Sequence, residues 1–138
     1  MDSAQVQRVA EFRVALQRFQ ARGNLAARAS GLTPQRYLLL VAIRAAPDGS
    51  GRSSVPELAD RLEMPQTTVS DLAARAEAVG LIAREQSRVD GRVSYLRLTR
   101  EGERRLEKCI DSLNGDRAEF ERALGVASRR IRSIDRGP

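Results

Sequence analysis

The chain has 138 residues, enough for one well-packed domain and too few for two comfortable ones. An apolar share of 41% and a charged share of 30% describe a soluble globular protein, and a net charge of +6 suits a nucleic-acid surface. With no histidine and one cysteine, the commonest general base and any thiolate metal site of two or more ligands are excluded within one chain. No glycine-rich phosphate loop or nucleophile motif takes their place, so no enzyme, cofactor or metal is expected. All but one of the basic residues are arginine, which a GC-rich coding bias would also produce. No apolar run reaches membrane-spanning length and no signal segment opens the chain, so a cytoplasmic location is expected; the lone Cys109 agrees with a reducing compartment.

Residues 4–22 carry Val9, Phe12, Leu16 and Phe19 at spacings of three and four, the stripe of an amphipathic helix that Gly23 and Asn24 are expected to loosen. "TPQRYLLLVAIRAA" predicts a second helix, with Thr33 as N-cap and Pro34 at the first helical position. "PDGSGRSS", residues 47–54, reads as a loop, and "VPELADRLEM" as a short helix turning Leu58, Ala59 and Leu62 inward. The next helix runs from about Pro65 to Val79, with Val69, Leu72, Ala76 and Val79 as its expected buried stripe. Opposite fall Thr67, Ser70, Asp71 and Ala74, with Gln66 and Arg75 beside them, a small and polar face.

Gly80 ends that helix, and Leu81 to Glu85 is expected to pair as a strand with Val93 to Leu98. Between them lies a short basic loop, Arg88-Val89-Asp90-Gly91-Arg92. Thr99 caps a long last helix whose stripe is Leu106, Ile110, Leu113, Phe120 and Leu124, with Arg117 out of place. The phase holds across Asn114-Gly115, which predicts one helix, and from Gly125 the chain is arginine-rich and weakly patterned.

Two short helices at a tight turn, the second with a polar outer face, describe a helix-turn-helix. Small side chains on that face allow close approach to base edges, and hydroxyls and amides pair with base donors and acceptors. The hairpin makes the unit winged, and an arginine at its tip suits the negative potential of a minor groove.

"SVPELADRLEMPQTTVSDLAARAEAVGLIAREQSRVDGRVSYLRLTREG" resembles the core of the multiple antibiotic resistance regulator (MarR) family of winged-helix transcription factors. The most specific piece is Asp90-x-Arg92 followed by Leu98-Thr99 and Gly102. "LTPQRYLLL" is similar to the family's second helix, and the likeness covers about residues 5–125. It implies a homodimer that binds a pseudo-palindromic operator in double-stranded DNA, usually as a repressor released by a small aromatic or anionic ligand. Carried across, the recognition-helix positions are Gln66, Thr67, Thr68, Ser70 and Asp71, and the wing pair is Asp90 and Arg92. The aspartate would brace the wing and the arginine would enter the minor groove, with Arg75, Arg84 and Arg88 on phosphates. Pro65 stands where the family often has a capping serine or threonine, Glu63 where a turn glycine is frequent, and Asp71 where a basic residue is common. Ala76 replaces a larger residue.

The expected fold is thus mainly α with a small two- to three-stranded β-wing. One domain spans residues 1–138, with the winged helix-turn-helix at about 33–99 and dimerisation helices at 4–22 and 100–136. Competing functions are a winged-helix protein-interaction module and a DNA binder without an effector. Cys109 is expected to be inert, and Tyr37, Phe12 and Phe19 to be core residues.

Overall fold

The structure, a computed structural model, describes residues 1–135. In chain order it has α1 (Ser3–Ala29), α2 (Pro34–Arg44), β1 (Arg52–Ser53), α3 (Val55–Leu62), α4 (Gln66–Ala78), β2 (Ile82–Gln86), β3 (Ser94–Leu98) and α5 (Arg100–Asp135). The strands form one antiparallel sheet in the order β1-β3-β2, so the fold is mainly α with a small wing. The chain divides into two compact units, one of residues 27–109 and one of residues 1–26 with 110 onward.

In the first of these units, local signals set the boundaries. Thr33 accepts a hydrogen bond from the Arg36 amide at 3.2 Å, and Pro34 follows it where its missing N–H costs nothing. Ser54 caps α3 by accepting from the Glu57 amide at 3.3 Å, and its hydroxyl donates to the Glu57 carboxylate at 2.9 Å. Thr99 joins the wing to α5: its hydroxyl donates to the Gly80 carbonyl at 2.6 Å and accepts from the Gly102 amide at 3.1 Å. Gly80, at φ +76°, closes α4 in the left-handed region where a side chain is strained.

The core of this unit draws on its helices and its sheet. Leu39, Leu40 and Ile43 of α2, Leu58 of α3, Val69, Ala73 and Ala76 of α4, Leu81 just before β2, and Ile82 and Leu96 of the sheet are buried. Arg61 ties three elements together, donating to the Ala42 carbonyl of α2 at 2.8 Å, to the Ser53 hydroxyl of β1 and to the Glu57 carbonyl of α3 at 3.4 Å. With Leu58 and Val69 both buried, α3 and α4 pack on this frame and on each other.

Several details differ from the sequence expectation. Helix α1 continues through Gly23 and Asn24 to Ala29, because a single glycine costs only about 1 kcal/mol among good helix formers such as Ala21, Ala26 and Ala27. The loop at 47–54 contains β1, whose two residues pair Arg52 with Arg97 and Ser53 with Leu96. On α4 the buried stripe is Val69, Ala73 and Ala76; Leu72 is half-buried and Val79 exposed, as is expected where the helix ends at Ala78 and the phase is lost. Leu62, expected inward, is half-buried at the end of α3. On α5 the buried residues are Leu106, Cys109 and Leu113, while Ile110 is exposed. The side chains of Arg117, Phe120 and Leu124 lie outside the described residues. The helix itself runs unbroken through Asn114 and Gly115.

In the other unit, α1 leaves apolar side chains in solvent, Val9 56% and Phe12 38% exposed, with Leu16 and Phe19 half-buried. Among the described residues, no helix is long and apolar enough to cross a membrane.

Candidate nucleic-acid interface

Helix α4 follows α3 after a three-residue turn. The turn is made at Glu63, which adopts the left-handed conformation (φ 52°, ψ 46°) while its amide closes onto the carbonyls of Ala59 and Asp60. Among the described residues Glu63 is the non-glycine with positive φ. Pro65 then takes the N-cap position and supplies no side-chain hydrogen bond. A helix start without a side-chain cap has first-turn amides suited to an outside acceptor such as a phosphate oxygen.

Burying Val69, Ala73 and Ala76 turns the opposite face of α4 outward. Gln66, Thr67, Thr68, Ser70, Asp71, Ala74 and Arg75 are all exposed. Thr67, Ser70, Asp71 and Ala74 follow the three-and-four spacing that aligns side chains on one helical face. Asp71 and Arg75 pair at 3.2 Å, both largely exposed. Such a pair contributes only about 0.3–0.5 kcal/mol, so its exchange for another partner is cheap.

The wing is β2, β3 and the loop between them. Ile82 pairs with Leu98 and Gln86 with Ser94, which sends the connecting residues away from the core. The loop is tightly bonded. The Ser87 amide donates to the Val93 carbonyl at 2.8 Å, and the Val93 amide to the Asp90 carbonyl at 3.0 Å. The Ser87 hydroxyl accepts from the amides of Val89 and Asp90, each at 3.2 Å. Gln86 donates its side-chain amide to the Gly91 carbonyl at 2.6 Å. Asp90 accepts from both the backbone amide and the guanidinium Nε of Arg92, at 3.0 and 3.2 Å. The Arg92 side chain is nevertheless 92% exposed, so Asp90 orients it without covering it.

Of the other arginines singled out in the sequence, Arg88 is exposed in the wing loop. Arg84 is bound to Glu77 of α4 at 2.8 Å, half of its surface covered, so it braces the wing against the helix. The structure therefore brings together Asp71 with Arg75 and Asp90 with Arg92, and ties Arg84 to a residue the sequence did not single out. Glu85 similarly lies within 3.9 Å of Arg97 and 3.8 Å of Arg52, whose guanidinium sits 4.8 Å from the Tyr95 ring centroid.

Sequence reasoning missed a cleft between α2 and α4. A cavity of about 250 Å³ is lined by Thr33, Gln35, Arg36, Leu72 and Arg75. A signal for it was present: the Thr33-Pro34 start puts Arg36 in the first turn of α2, which holds no acidic residue. The helix dipole disfavours a cation there, unless an anion is to be bound. Cys109 is buried, and burial pushes its thiol above the ordinary range, which disfavours the reactive thiolate.

A family model described as the MarR family matches residues 30–93. The HTH-type transcriptional repressor MdtR of Bacillus subtilis (strain 168) is 34% identical over 80 residues, 58% of this chain and 49% of that one. The chain thus spans about half the length of this curated relative. A MarR family protein from Bacillus stearothermophilus has a similar structure, with a TM-score of 0.73 at 25% identity over 98% of this chain and 96% of that one. A mutant MarR from E. coli, solved with operator DNA, shares the fold with a TM-score of 0.70 at 16% identity, over 88% and 89% of the two chains. The family match spans α2 to the wing loop, the segment that carries the exposed face of α4, and in sequence and fold the chain is similar to proteins of the MarR family.

Proposed function

We propose that the protein is a transcriptional regulator that binds DNA sequence-specifically, acting as a homodimeric repressor at a pseudo-palindromic operator. The observation that carries this reading is the pairing, within one unit, of a bare polar face on α4 with a stiff wing that displays Arg88 and Arg92. Thr67, Thr68, Ser70 and Gln66 then contact base edges in the major groove, and Asp71 accepts from cytosine N4 or holds Arg75 for a phosphate. Arg92 enters the minor groove, oriented by Asp90, and Arg88 takes a phosphate. Arg84 contributes charge from its place against Glu77. The repressor name of MdtR and the operator complex of the E. coli protein support the same reading by analogy.

The exposed Val9 and Phe12 of α1 and Ile110 of α5 support a second copy as partner, since apolar side chains on long helices gain from being covered. A two-fold dimer would set its recognition helices about one DNA turn, ~34 Å, apart. Release by a small aromatic or anionic ligand fits the cleft of Arg36, Arg75 and Leu72, which offers two guanidinium groups beside an apolar wall. A carboxylate seated there would draw Arg75 away from phosphate.

The test is sequencing of genomic DNA fragments retained by the purified protein, followed by titration of the recovered site. An inverted repeat should emerge, and affinity for it should fall roughly a hundredfold or more between about 50 and 200 mM salt, because releasing condensed counterions is less favourable at higher salt. Equal affinity for scrambled duplex, or a flat salt response, would favour a protein-interaction module instead.

A further inference from the structure

Val89 is 98% exposed at the wing tip, between Arg88 and the Asp90–Arg92 pair. Its own amide is bonded to Ser87, and the turn is made by Ser87, Asp90 and Gly91, so the valine side chain takes no part in shaping the loop. Turn tips ordinarily carry glycine, asparagine, aspartate or serine, which serve the backbone. A branched aliphatic group fully exposed on a hydrogen-bonded loop, flanked in sequence by Arg88 and Arg92, suits the floor of a minor groove between two phosphate walls.

The chemistry of that floor makes the match selective. An A·T pair presents only acceptors there, whereas a G·C pair adds the guanine 2-amino donor. An isopropyl group pressed on that donor would strip its water and give it no acceptor, which is costly. Arginine makes this distinction only indirectly, through groove width and potential, and does not touch the 2-amino group itself. We infer that Val89 is a specificity-determining residue of the wing, one that rejects guanine 2-amino groups in the minor groove while Arg88 and Arg92 supply the attraction. The inference rests on the DNA-binding function proposed above.

Two alternating copolymers isolate the effect. Poly(dI-dC) and poly(dG-dC) present the same major-groove edges and differ by the 2-amino group. The purified protein, titrated at low salt by fluorescence anisotropy, should bind poly(dI-dC) about tenfold more tightly, the low end of what an unpaired buried donor costs. Val89→Thr keeps the shape and adds a hydroxyl that accepts from the 2-amino group, so the ratio should fall to about one. Val89→Ala, which withdraws the methyl groups, should lower the ratio as well. A wild-type ratio near one, or a ratio unchanged in Val89→Thr, would overturn the role of Val89. Failure of the wild-type protein to bind either polymer would overturn the DNA-binding function itself, a result distinct from the other two.

Discussion

Gly102→Ala should destabilise the protein, although it places a better helix former in a helix. Gly102 lies in the first turn of α5, buried against the backbone of Leu81. An added methyl would overlap the Leu81 carbonyl oxygen outright, and would stand 3.1 Å from its carbonyl carbon and 3.4 Å from Leu98 Cβ. That oxygen has little freedom to retreat, since it accepts from the Thr99 amide at 3.0 Å and lies next to the buried Ile82. Overpacking of this kind costs about 1–3 kcal/mol. Losing the Thr99 hydrogen bond adds about 1 kcal/mol, which offsets the similar gain of alanine over glycine in a helix. A net loss of about 1–3 kcal/mol should lower the urea midpoint by roughly 1 M, given a typical slope of about 1–3 kcal/mol per molar. Far-UV circular dichroism at fixed protein concentration reads this directly. Gly115→Ala is the control: the position is helical with nothing within 4 Å of an added Cβ, so its midpoint should rise, by roughly 0.5–1 kcal/mol in stability. A Gly102→Ala midpoint at or above wild type would refute the argument that backbone contact, rather than helix propensity, governs this junction.

Relief of the left-handed backbone at Glu63 by Glu63→Gly should stabilise the protein by roughly 0.5–1 kcal/mol in the same assay; a loss would mean that the glutamate side chain contributes more than the strain removes. The hydrogen bonds of Arg104 and Arg105 hold the Glu101 carboxyl at about 2, below its ordinary 4.5. Its contribution to stability is therefore complete above pH 4.5 and lost as pH falls toward 2, and Glu101→Gln should flatten the unfolding profile across that window. Gel-shift titration near physiological salt should show Arg92→Ala weakening all operators together, most at A·T-rich flanks, with Asp90→Ala a milder version because the charge stays while its geometry loosens. Thr67→Ala should instead cost about 1–3 kcal/mol of discrimination at particular base pairs, measured on a panel of single-site operator variants.

The helix starts were legible because they are chemical and local: Thr33-Pro34 at α2 and Thr99 at α5 each place an acceptor where helix amides need one. The exposed face of α4 was legible for a related reason, since small polar residues repeat there at helical spacing. Burial at the helix margins was not. Cys109 and Ile110 are neighbours, and only the packing around residue 109 decides which of the two faces the core. Val79 continues an apolar pattern past the last helical residue, where the pattern no longer maps onto a face. The strand β1 escaped because two residues carry no periodicity; its existence depends on the edge of the distant β3, where Arg52 meets Arg97 and Ser53 meets Leu96. Arg61 and Glu77 are ordinary charges on helices until the fold brings Ala42 and Arg84 to them.

The bonding within the wing loop also bears on how a DNA-binding protein of the proposed kind could change its targets. The amides of Ser87, Val89, Asp90, Arg92 and Val93 are spent inside the loop, so its shape is fixed before any partner arrives and little ordering entropy is lost on contact. The side chains of Arg88, Val89 and Arg92 face outward from this frame. Substitutions at those three positions alter what the tip meets and leave the backbone bonds that build it in place, with only the Arg92 side-chain bond to Asp90 lost. The loop thus behaves as an exchangeable fitting on a fixed mount, and a lineage could drift through different preferences at the flanks of a site while the frame that holds α4 stays as it is.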